Sequence, residues 1–414
     1  MRALAFPLLL STLLVLPGSL RGAEPPAPTG RWHAALVPVP GVEVGFVLDV
    51  SSKGRQLSAW LGNGEHRTPF TSATWDGATL VLELAHLDAR LTVRPAGAGL
   101  EGTYTRTTSA GTVEVPFQAR RTPPAEPSLP RGAPAVGGEW GLTMGEGEKA
   151  SRLVGSFRQR GARVDGTVRE STGDWGPLHG TWDGRALVLT VFDGVHVYRL
   201  TGELRPDGTL AGEFRSRANP PVPWTGRRLR AGEDEAFVPG GDSVVRAKDP
   251  SAPFVFSLPD EDGRLVSSTD PAFAGRPMVV SIGGTWCPNC NDEAPLLAEL
   301  HRRYRGKGLS VVGLSFEYTA DAERSRRQVK RFRERYALSY PVLVAGSTKE
   351  ARSSPVIAQL DGFEGYPTTL FLDRGHRVVK VHSGFDGPAT GERFTALKKE
   401  FEKTIRTLLA TKPR

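Results

Sequence analysis

The two cysteines of the chain, Cys287 and Cys290, are separated by two residues in the segment Trp286-Cys287-Pro288-Asn289-Cys290, and the sequence contains no other thiol. Two thiols at this spacing can alternate between a disulfide and a dithiol. A zinc site would need two further ligands at suitable spacing, and no other cysteine supplies them. A purely structural bridge would close almost no loop and would stabilise the fold little. The motif therefore predicts a redox-active disulfide, with no metal and no bound cofactor.

The secondary structure expected around the pair gives the two cysteines different roles. Residues 278–282 form a short apolar run typical of a buried strand, and a helical pattern begins at the cysteines. Free N–H groups and the helix dipole stabilise a thiolate at the first turn, so we expect an exposed, nucleophilic Cys287. Cys290 lies one turn further on, shielded, and attacks the mixed disulfide second. Pro288 suits a helix start because its missing N–H costs nothing there, and Trp286 is expected to cover one side of the pair.

Two further positions are candidates for the same site. Glu293 follows Cys290 by three residues and shares its helix face, where a carboxyl group can accept or return the thiol proton. An exposed surface glutamate would have the same spacing. Pro367 follows Tyr366 directly before a second apolar run, 368–372, where proline adopts either the cis form or an ordinary trans form at a sheet edge. The spacing alone leaves both alternatives open.

Strand and helix patterns alternate from about residue 254 to the end of the chain. Further strands are predicted at 309–316, 341–344 and 378–381, and Asp321 is a suitable cap for a helix that reaches residue 336. A final helix carries apolar residues at intervals of three or four. The order strand–helix–strand, followed by strand–strand–helix, predicts an α/β sheet of the thioredoxin type.

An internal duplication occupies the preceding two hundred residues. The segment 73–77 (ATWDG) recurs as 180–184 (GTWDG), an offset of 107, and two more matches fall at 107 or 108. Short alternating runs and Asp-Gly turns, without helical periodicity, predict strands in both copies. We expect two tandem all-β antiparallel modules, each a barrel or a sandwich, with Trp75 and Trp182 in their cores. The copies are interpreted as a β scaffold, with a partner-binding module as the alternative.

Changes in composition mark the boundaries of these parts. Residues 1–22 join a positive start to an apolar run, which predicts a signal peptide, and no cysteine follows that could carry a lipid anchor. The net charge of +8 comes without a long run of like charge, which argues against nucleic-acid binding. The predicted order is signal peptide (1–22), β module 1 (31–121), linker (122–138), β module 2 (139–229), linker (230–252) and thioredoxin-like domain (253–414).

Residues 254–409 resemble the TlpA/ResA-like thiol-disulfide oxidoreductases, thioredoxin-fold proteins of the bacterial periplasm or cell-envelope exterior. The resemblance runs through W-C-P-N-C, through Glu293 and Pro295 of C-x-x-E-x-P, and through 365–373 (GYPTTLFLD). It implies these roles: Cys287 as nucleophile, Cys290 as resolving thiol, Glu293 as buried acid/base, Pro367 as a cis-proline facing the disulfide, and Tyr366 as part of the substrate groove.

One departure from the family lies just before the tryptophan. Gly283, Gly284 and Thr285 replace a bulkier stretch that is common in the family, and we expect them to loosen the groove beside the thiols. The duplicated β region lies outside the resemblance.

The resemblance implies an exported, soluble reductase of protein disulfides in the periplasm. Family members often serve cytochrome c maturation and are recharged by a membrane thiol carrier, so the expected partners are disulfide-containing clients and a carrier of the DsbD or CcdA type. The alternative function is a client-binding or assembly factor of the cell envelope whose β modules dominate its activity.

Overall fold

The structure, a computed structural model, describes residues 25–238 and 245–411. The predicted signal peptide, residues 1–22, lies outside the described residues. Within the described ranges, no helix combines the length and the apolar character that crossing a bilayer requires.

Nine antiparallel strands form the first β module in a single curved sheet. They are β1 (Gly30–Val39), β2 (Val42–Lys53), β3 (Gln56–Asn63), β4 (His66–Pro69), β5 (Ser72–Trp75), β6 (Leu80–Leu84), β7 (Ala89–Ala96), β8 (Gly99–Thr108) and β9 (Gly111–Arg120). Their order is β4-β3-β2-β1-β9-β8-β7-β6-β5, and no ladder joins β4 to β5, so the sheet is a half-barrel. Alternate residues of each strand point inwards, as the buried positions of β2 show, because successive side chains of a strand face opposite sides.

The second β module has nine matching strands. They are β10 (Gly138–Met144), β11 (Ser151–Arg160), β12 (Arg163–Glu170), β13 (Gly173–Asp174), β14 (Leu178–Trp182), β15 (Ala186–Phe192), β16 (Val197–Leu204), β17 (Leu210–Ser216) and β18 (Val222–Arg228). Here β11 pairs with both β10 and β12, so eight strands close into a barrel and β13 extends from β12. A closed barrel leaves no unpaired sheet edge. The prediction of two tandem all-β modules is confirmed.

The duplication extends to individual side-chain contacts. The indole of Trp32 donates to Pro28 O at 3.0 Å, and the indole of Trp140 donates to the carbonyl four residues before it at 2.8 Å. A guanidinium group lies over each ring, from Arg121 at 3.5 Å and from Arg228 at 4.6 Å. In each module, a tryptophan of the first strand therefore packs against an arginine at or directly after the end of the last strand.

The two tryptophans predicted as core residues differ in burial. Trp182 is fully buried in the closed barrel, but Trp75 is only partly buried and donates to Pro25 O at 2.7 Å. The prediction is confirmed for Trp182. Trp75 packs against the core of the first module but is not enclosed by it, because β5 lies at the open edge of the half-barrel and has no strand on its outer side.

The modules share part of a core. Phe192 and Val197 of the second module belong to the hydrophobic cluster of the first, and the rings of Phe46 and Phe192 are 4.8 Å apart. The Asn63 side chain donates to Phe192 O at 2.8 Å and accepts from Phe192 N at 3.2 Å. The half-barrel thus completes its core against the barrel.

Residues 245–411 form a C-terminal α/β domain. A short helix, α1 (Glu233–Phe237), precedes it inside the predicted linker. The strands of the C-terminal domain are β19 (Arg246–Ala247), β20 (Ser257–Pro259), β21 (Leu265–Ser267), β22 (Met278–Gly283), β23 (Ser310–Glu317), β24 (Val342–Ser347), β25 (Leu360–Asp361), β26 (Thr368–Leu372) and β27 (Val378–Ser383). Its long helices are α2 (Pro288–Tyr304), α3 (Ala322–Tyr336) and α4 (Glu392–Ala410).

The main sheet of this domain has the order β24-β23-β22-β26-β27. Strands β22, β23 and β24 run parallel, whereas β26 and β27 are antiparallel to their neighbours. Asp321 caps α3 as predicted, because its carboxylate accepts from Glu323 N at 3.0 Å and Arg324 N at 3.1 Å. The predicted thioredoxin-like arrangement is confirmed, and the central strand β22 leads directly into the cysteine loop.

Candidate active site around the cysteine pair

The cysteine pair lies at the N-terminus of α2. Cys287 is the N-cap, Pro288 is the first helical residue, and the two sulfurs form a disulfide with Cα atoms 5.2 Å apart. The amide of Cys290 donates to Cys287 Sγ at 3.2 Å. The first N–H groups of a helix have no partner inside the helix, so they and the helix dipole favour negative charge on this sulfur after reduction.

Both sulfurs are buried. Cys287 is 4% exposed and Cys290 is 6% exposed. The expectation of an exposed Cys287 is therefore wrong for this structure. The cause is tertiary, since residues 172–174 of the second module and Arg106 of the first module contact the segments around the pair.

The Trp286 ring folds over the loop that precedes it. Its Nε1 donates to Phe316 O at 2.8 Å, and the ring stacks on Tyr318 at 4.6 Å. A Cβ atom on Gly284 would lie 2.4 Å from Nε1, and one on Gly283 would lie 3.0 Å from a sulfur of the pair. The expectation that these glycines loosen the groove is wrong, because their missing side chains let the indole and the disulfide approach closely.

The loop before β26 faces the disulfide from the other side. The Tyr366–Pro367 peptide bond is cis, and Tyr366 O lies 3.7 Å from Cys287 Sγ. Pro367 O accepts from Gly384 N at 2.8 Å, which ties this loop to the end of β27. The Tyr366 ring meets Trp286 edge-on at 5.7 Å. Trp286, Tyr366 and Pro367 are thus brought together around Cys287.

Glu293 lies beneath the pair and is 1% exposed. Its carboxyl group accepts hydrogen bonds from Ser281 Oγ at 2.6 Å and from Thr369 Oγ1. Burial raises the pKa of Glu293 to about 7, although both hydrogen bonds act to lower that pKa. A cavity of about 30 Å³ is lined by Cys290 and Glu293 among others, enough volume for one water molecule. The carboxyl group therefore lies in the same small cavity as Cys290, rather than on the surface.

A second buried carboxyl group, missed in the sequence, supports the cysteine loop. Glu317 ends β23, and burial raises its pKa. It accepts from Thr285 N at 3.2 Å, from Thr285 Oγ1 at 2.9 Å and from Ser315 Oγ at 2.6 Å. The only sequence signal was an acidic residue at the end of an apolar strand, one position beyond the predicted strand.

The turn between β12 and β14 of the second module covers the pair. When the Asn289 carboxamide is oriented to satisfy both groups, it donates to Asp174 O at 3.0 Å and accepts from Asp174 N at 3.3 Å. A Cβ atom on Gly365 would lie 3.2 Å from the Thr172 side chain, and one on Gly384 would lie 2.7 Å from the Thr172 main chain. The turn is therefore in van der Waals contact with three segments that surround the disulfide.

The side chain of Asp174 anchors this turn to the C-terminal domain. Its carboxylate accepts from Gly387 N at 2.6 Å and from Thr167 Oγ1 at 3.0 Å. Burial raises the pKa of Asp174 to about 6. No motif in the sequence connects this residue with cysteines more than a hundred positions away.

Comparisons with known proteins concern the C-terminal part of the chain. The Redoxin family model matches residues 246–396. The thiol-disulfide oxidoreductase ResA of Halalkalibacterium halodurans is 26% identical over 157 residues, which are 38% of this chain and 80% of that protein. The C-terminal domain is a TlpA/ResA-like domain of the thioredoxin superfamily. The thioredoxin-like protein YneN of Bacillus subtilis is 29% identical over 150 residues, covering 36% of this chain and 74% of YneN.

A solved structure is similar to the chain as well. The DsbF homologue from Corynebacterium diphtheriae is 24% identical, with a TM-score of 0.31, and the match covers 41% of this chain and 96% of that one. The family match and the names of the two relatives support oxidoreductase activity for the TlpA/ResA-like domain. Both β modules precede the residues that the Redoxin family model matches.

Proposed function

We propose that the protein is an exported thiol-disulfide oxidoreductase that reduces protein disulfides in the periplasm. The observation that carries this proposal is the Cys287–Cys290 pair at a helix N-terminus, beside the Tyr366–Pro367 loop and above the buried Glu293. The names of the relatives supply the reaction class. Residues 253–414 are proposed as the catalytic domain and residues 31–121 and 139–229 as the β modules.

The proposed reaction transfers two electrons to a client in two exchange steps. In the reduced protein, the Cys287 thiolate attacks a client disulfide, forms a mixed disulfide and displaces one client thiolate. Cys290 then passes its proton to Glu293, directly or through one water in the cavity between them, and attacks Cys287 Sγ. The second client sulfur leaves as a thiolate, which takes up a proton, and the Cys287–Cys290 disulfide remains.

The proposal also includes a groove for the client and an electron donor for the disulfide. A client segment must enter a groove beside Cys287 to place its sulfur on that residue. We propose that this groove is lined by Trp286, Pro288, Tyr366 and Pro367. A membrane thiol carrier of the DsbD or CcdA type is proposed to return the two electrons by reducing the disulfide. Cytochrome c maturation is the proposed pathway, since it requires reduced thiols in an oxidising compartment.

Trapping tests this function. In a Cys290→Ser variant the second step is blocked, so mixed disulfides through Cys287 should accumulate and mass spectrometry should identify the clients. Cys287→Ser is the matched control and should trap nothing. Equal labelling of both variants, or none in either, would contradict the proposal. A measured reduction potential near about −270 mV supports a reductase, whereas about −120 mV indicates an oxidant.

A second candidate function is supported by the contact between the second module and the cysteine loop. The main chain of Asp174 binds Asn289, between the two cysteines, so a β module contacts the segment that carries the disulfide. A client-binding or assembly factor would use the modules to hold a client while the disulfide plays a minor part. A Cys287→Ala, Cys290→Ala double variant that keeps full biological activity would favour this second function.

A further inference from the structure

Arg106 of the first module reaches into the redox site. It lies on β8 and is 2% exposed, although its side chain carries a full positive charge. Its Nη2 donates to Trp286 O at 3.0 Å, in the peptide unit that joins Trp286 to Cys287, and contacts Tyr318 Oη at 3.4 Å. Its Nε donates to Leu87 O at 3.4 Å. The guanidinium group is thus held on the peptide unit that joins Trp286 to the N-cap residue Cys287.

The corresponding strand of the second module forms without an arginine at this position. The run Leu-x-Gly-x-Tyr of β8, residues 100–104, matches Leu-x-Gly-x-Phe of β17, residues 210–214, and the paired strands confirm this alignment. Two residues further on, the first copy has Arg106 and the second has Ser216. The same strand forms in the barrel without a cation at this position, so a role outside the module accounts better for Arg106.

The charge of Arg106 is poorly compensated while the cysteines are oxidised. Its Nη1 is buried and has no hydrogen-bond partner among residues 25–238 and 245–411. Within the same ranges, its three hydrogen bonds end on two carbonyl groups and one hydroxyl group, none of which is an anion. A buried cation without an anionic partner is costly, and an unsatisfied buried donor calls for an explanation.

We propose that Arg106 is a positioning residue of the redox site. Its positive charge stabilises the Cys287 thiolate that forms on reduction. The inference depends on the redox role of the pair proposed above. Two electrons and one proton convert the disulfide into a Cys287 thiolate and a Cys290 thiol, so a negative charge arises beside the guanidinium group only in the reduced state. Arg106 thereby stabilises the dithiol form relative to the disulfide.

The size of the effect follows from the position of the charge. One unit charge bound to the peptide unit that joins Trp286 to Cys287, at the effective permittivity of roughly 20 that describes such sites, shifts the equilibrium between disulfide and dithiol by about tenfold or more. For a two-electron couple, a tenfold change corresponds to about 30 mV. Loss of the charge should therefore make the pair more reducing by about that amount and raise the pKa of the Cys287 thiol.

The test uses the full-length chain with Arg106→Gln, Arg106→Lys and Arg94→Gln. Arg94 is an exposed arginine of the same module and serves as the matched control. The redox equilibrium is measured against glutathione buffers, and the ultraviolet absorbance of the thiolate is followed during a pH titration of the reduced protein. We expect Arg106→Gln to favour the disulfide about tenfold and to titrate at higher pH, whereas Arg94→Gln and Arg106→Lys remain close to the wild type.

Equal redox equilibria for the wild type and Arg106→Gln would overturn the inference. If Arg106→Gln does not fold, Arg106→Lys decides: a shift of tenfold in this charge-conserving variant would show that hydrogen bonding, rather than charge, is what matters. Neither measurement needs a client protein. A failure here is therefore distinct from a failure of the proposed function, which is tested by trapping in Cys290→Ser.

Discussion

The buried carboxyl group of Glu293 leads to a quantitative prediction about stability. Its pKa is raised by burial to about 7 in the folded protein, compared with 4.5 for an exposed glutamate. The folded state therefore holds this proton more tightly than the unfolded chain does. The resulting stabilisation is fully present below about pH 4.5 and is lost as the pH rises through about 7. At ~1.4 kcal/mol for each pH unit, the whole effect is about 3 kcal/mol.

Glu293→Gln removes this titration and keeps the shape of the side chain. Between about pH 4.5 and pH 8, the free energy of unfolding of the wild type should fall by about 3 kcal/mol relative to the variant. The assay is urea denaturation of the oxidised protein at a series of pH values. Glu299→Gln is the matched control, since Glu299 is a partly exposed glutamate of the same helix, and its profile should follow the wild type.

Parallel pH profiles for the wild type and Glu293→Gln would refute this reasoning, because they would mean that the carboxyl group titrates alike in both states. The same variant tests the proposed proton transfer. Without a carboxylate to accept the Cys290 proton, resolution of a mixed disulfide should slow by about 100-fold or more. Unchanged resolution kinetics would remove Glu293 from the mechanism.

Two further predictions concern the β modules. Trp182→Ala should destabilise the protein by about 3–5 kcal/mol in urea denaturation, because the side chain is fully buried, whereas Trp75→Ala should cost much less; equal losses would show that the half-barrel edge is packed as tightly as the closed barrel. A client sulfur must come within about 2.05 Å of Cys287 Sγ, which is buried, so we expect the turn that binds Asn289 to move first. Asn289→Ala removes two hydrogen bonds to the main chain of Asp174, each worth about 1 kcal/mol, and should speed reduction of the disulfide by a bulky thiol by up to about 30-fold. An unchanged rate would mean that this contact does not limit access.

Much of the C-terminal domain could be predicted from local patterns. The helix at the cysteines, the cap at Asp321 and the strands of the central sheet follow from hydrophobic periodicity and capping preferences, which act over a few residues. The duplication was visible because a repeated strand–turn unit needs the same glycines and tryptophans in both copies. Whether each copy closes into a barrel was not predictable, since closure depends on one ladder between distant strands.

The burial of individual side chains could not be predicted from the local sequence pattern. Glu293 had the spacing of either a surface glutamate or a buried acid, and only the packing of Ser281 and Thr369 around it decides between them. Trp75 and Trp182 share the same local sequence, yet one lies at an open edge and the other inside a closed barrel. Identical local motifs differ here because their neighbours come from remote segments.

By itself, the sequence determined the redox pair and its place at a helix start, because two cysteines at this spacing and a proline between them restrict the chemistry locally. Only the tertiary structure decided that the pair is covered, and by what. Arg106 lies 180 positions from Trp286, and Asn289 meets a turn that also lies more than a hundred residues away. Such contacts are set by the packing of whole modules against one another, and no local spacing rule in the chain encodes them.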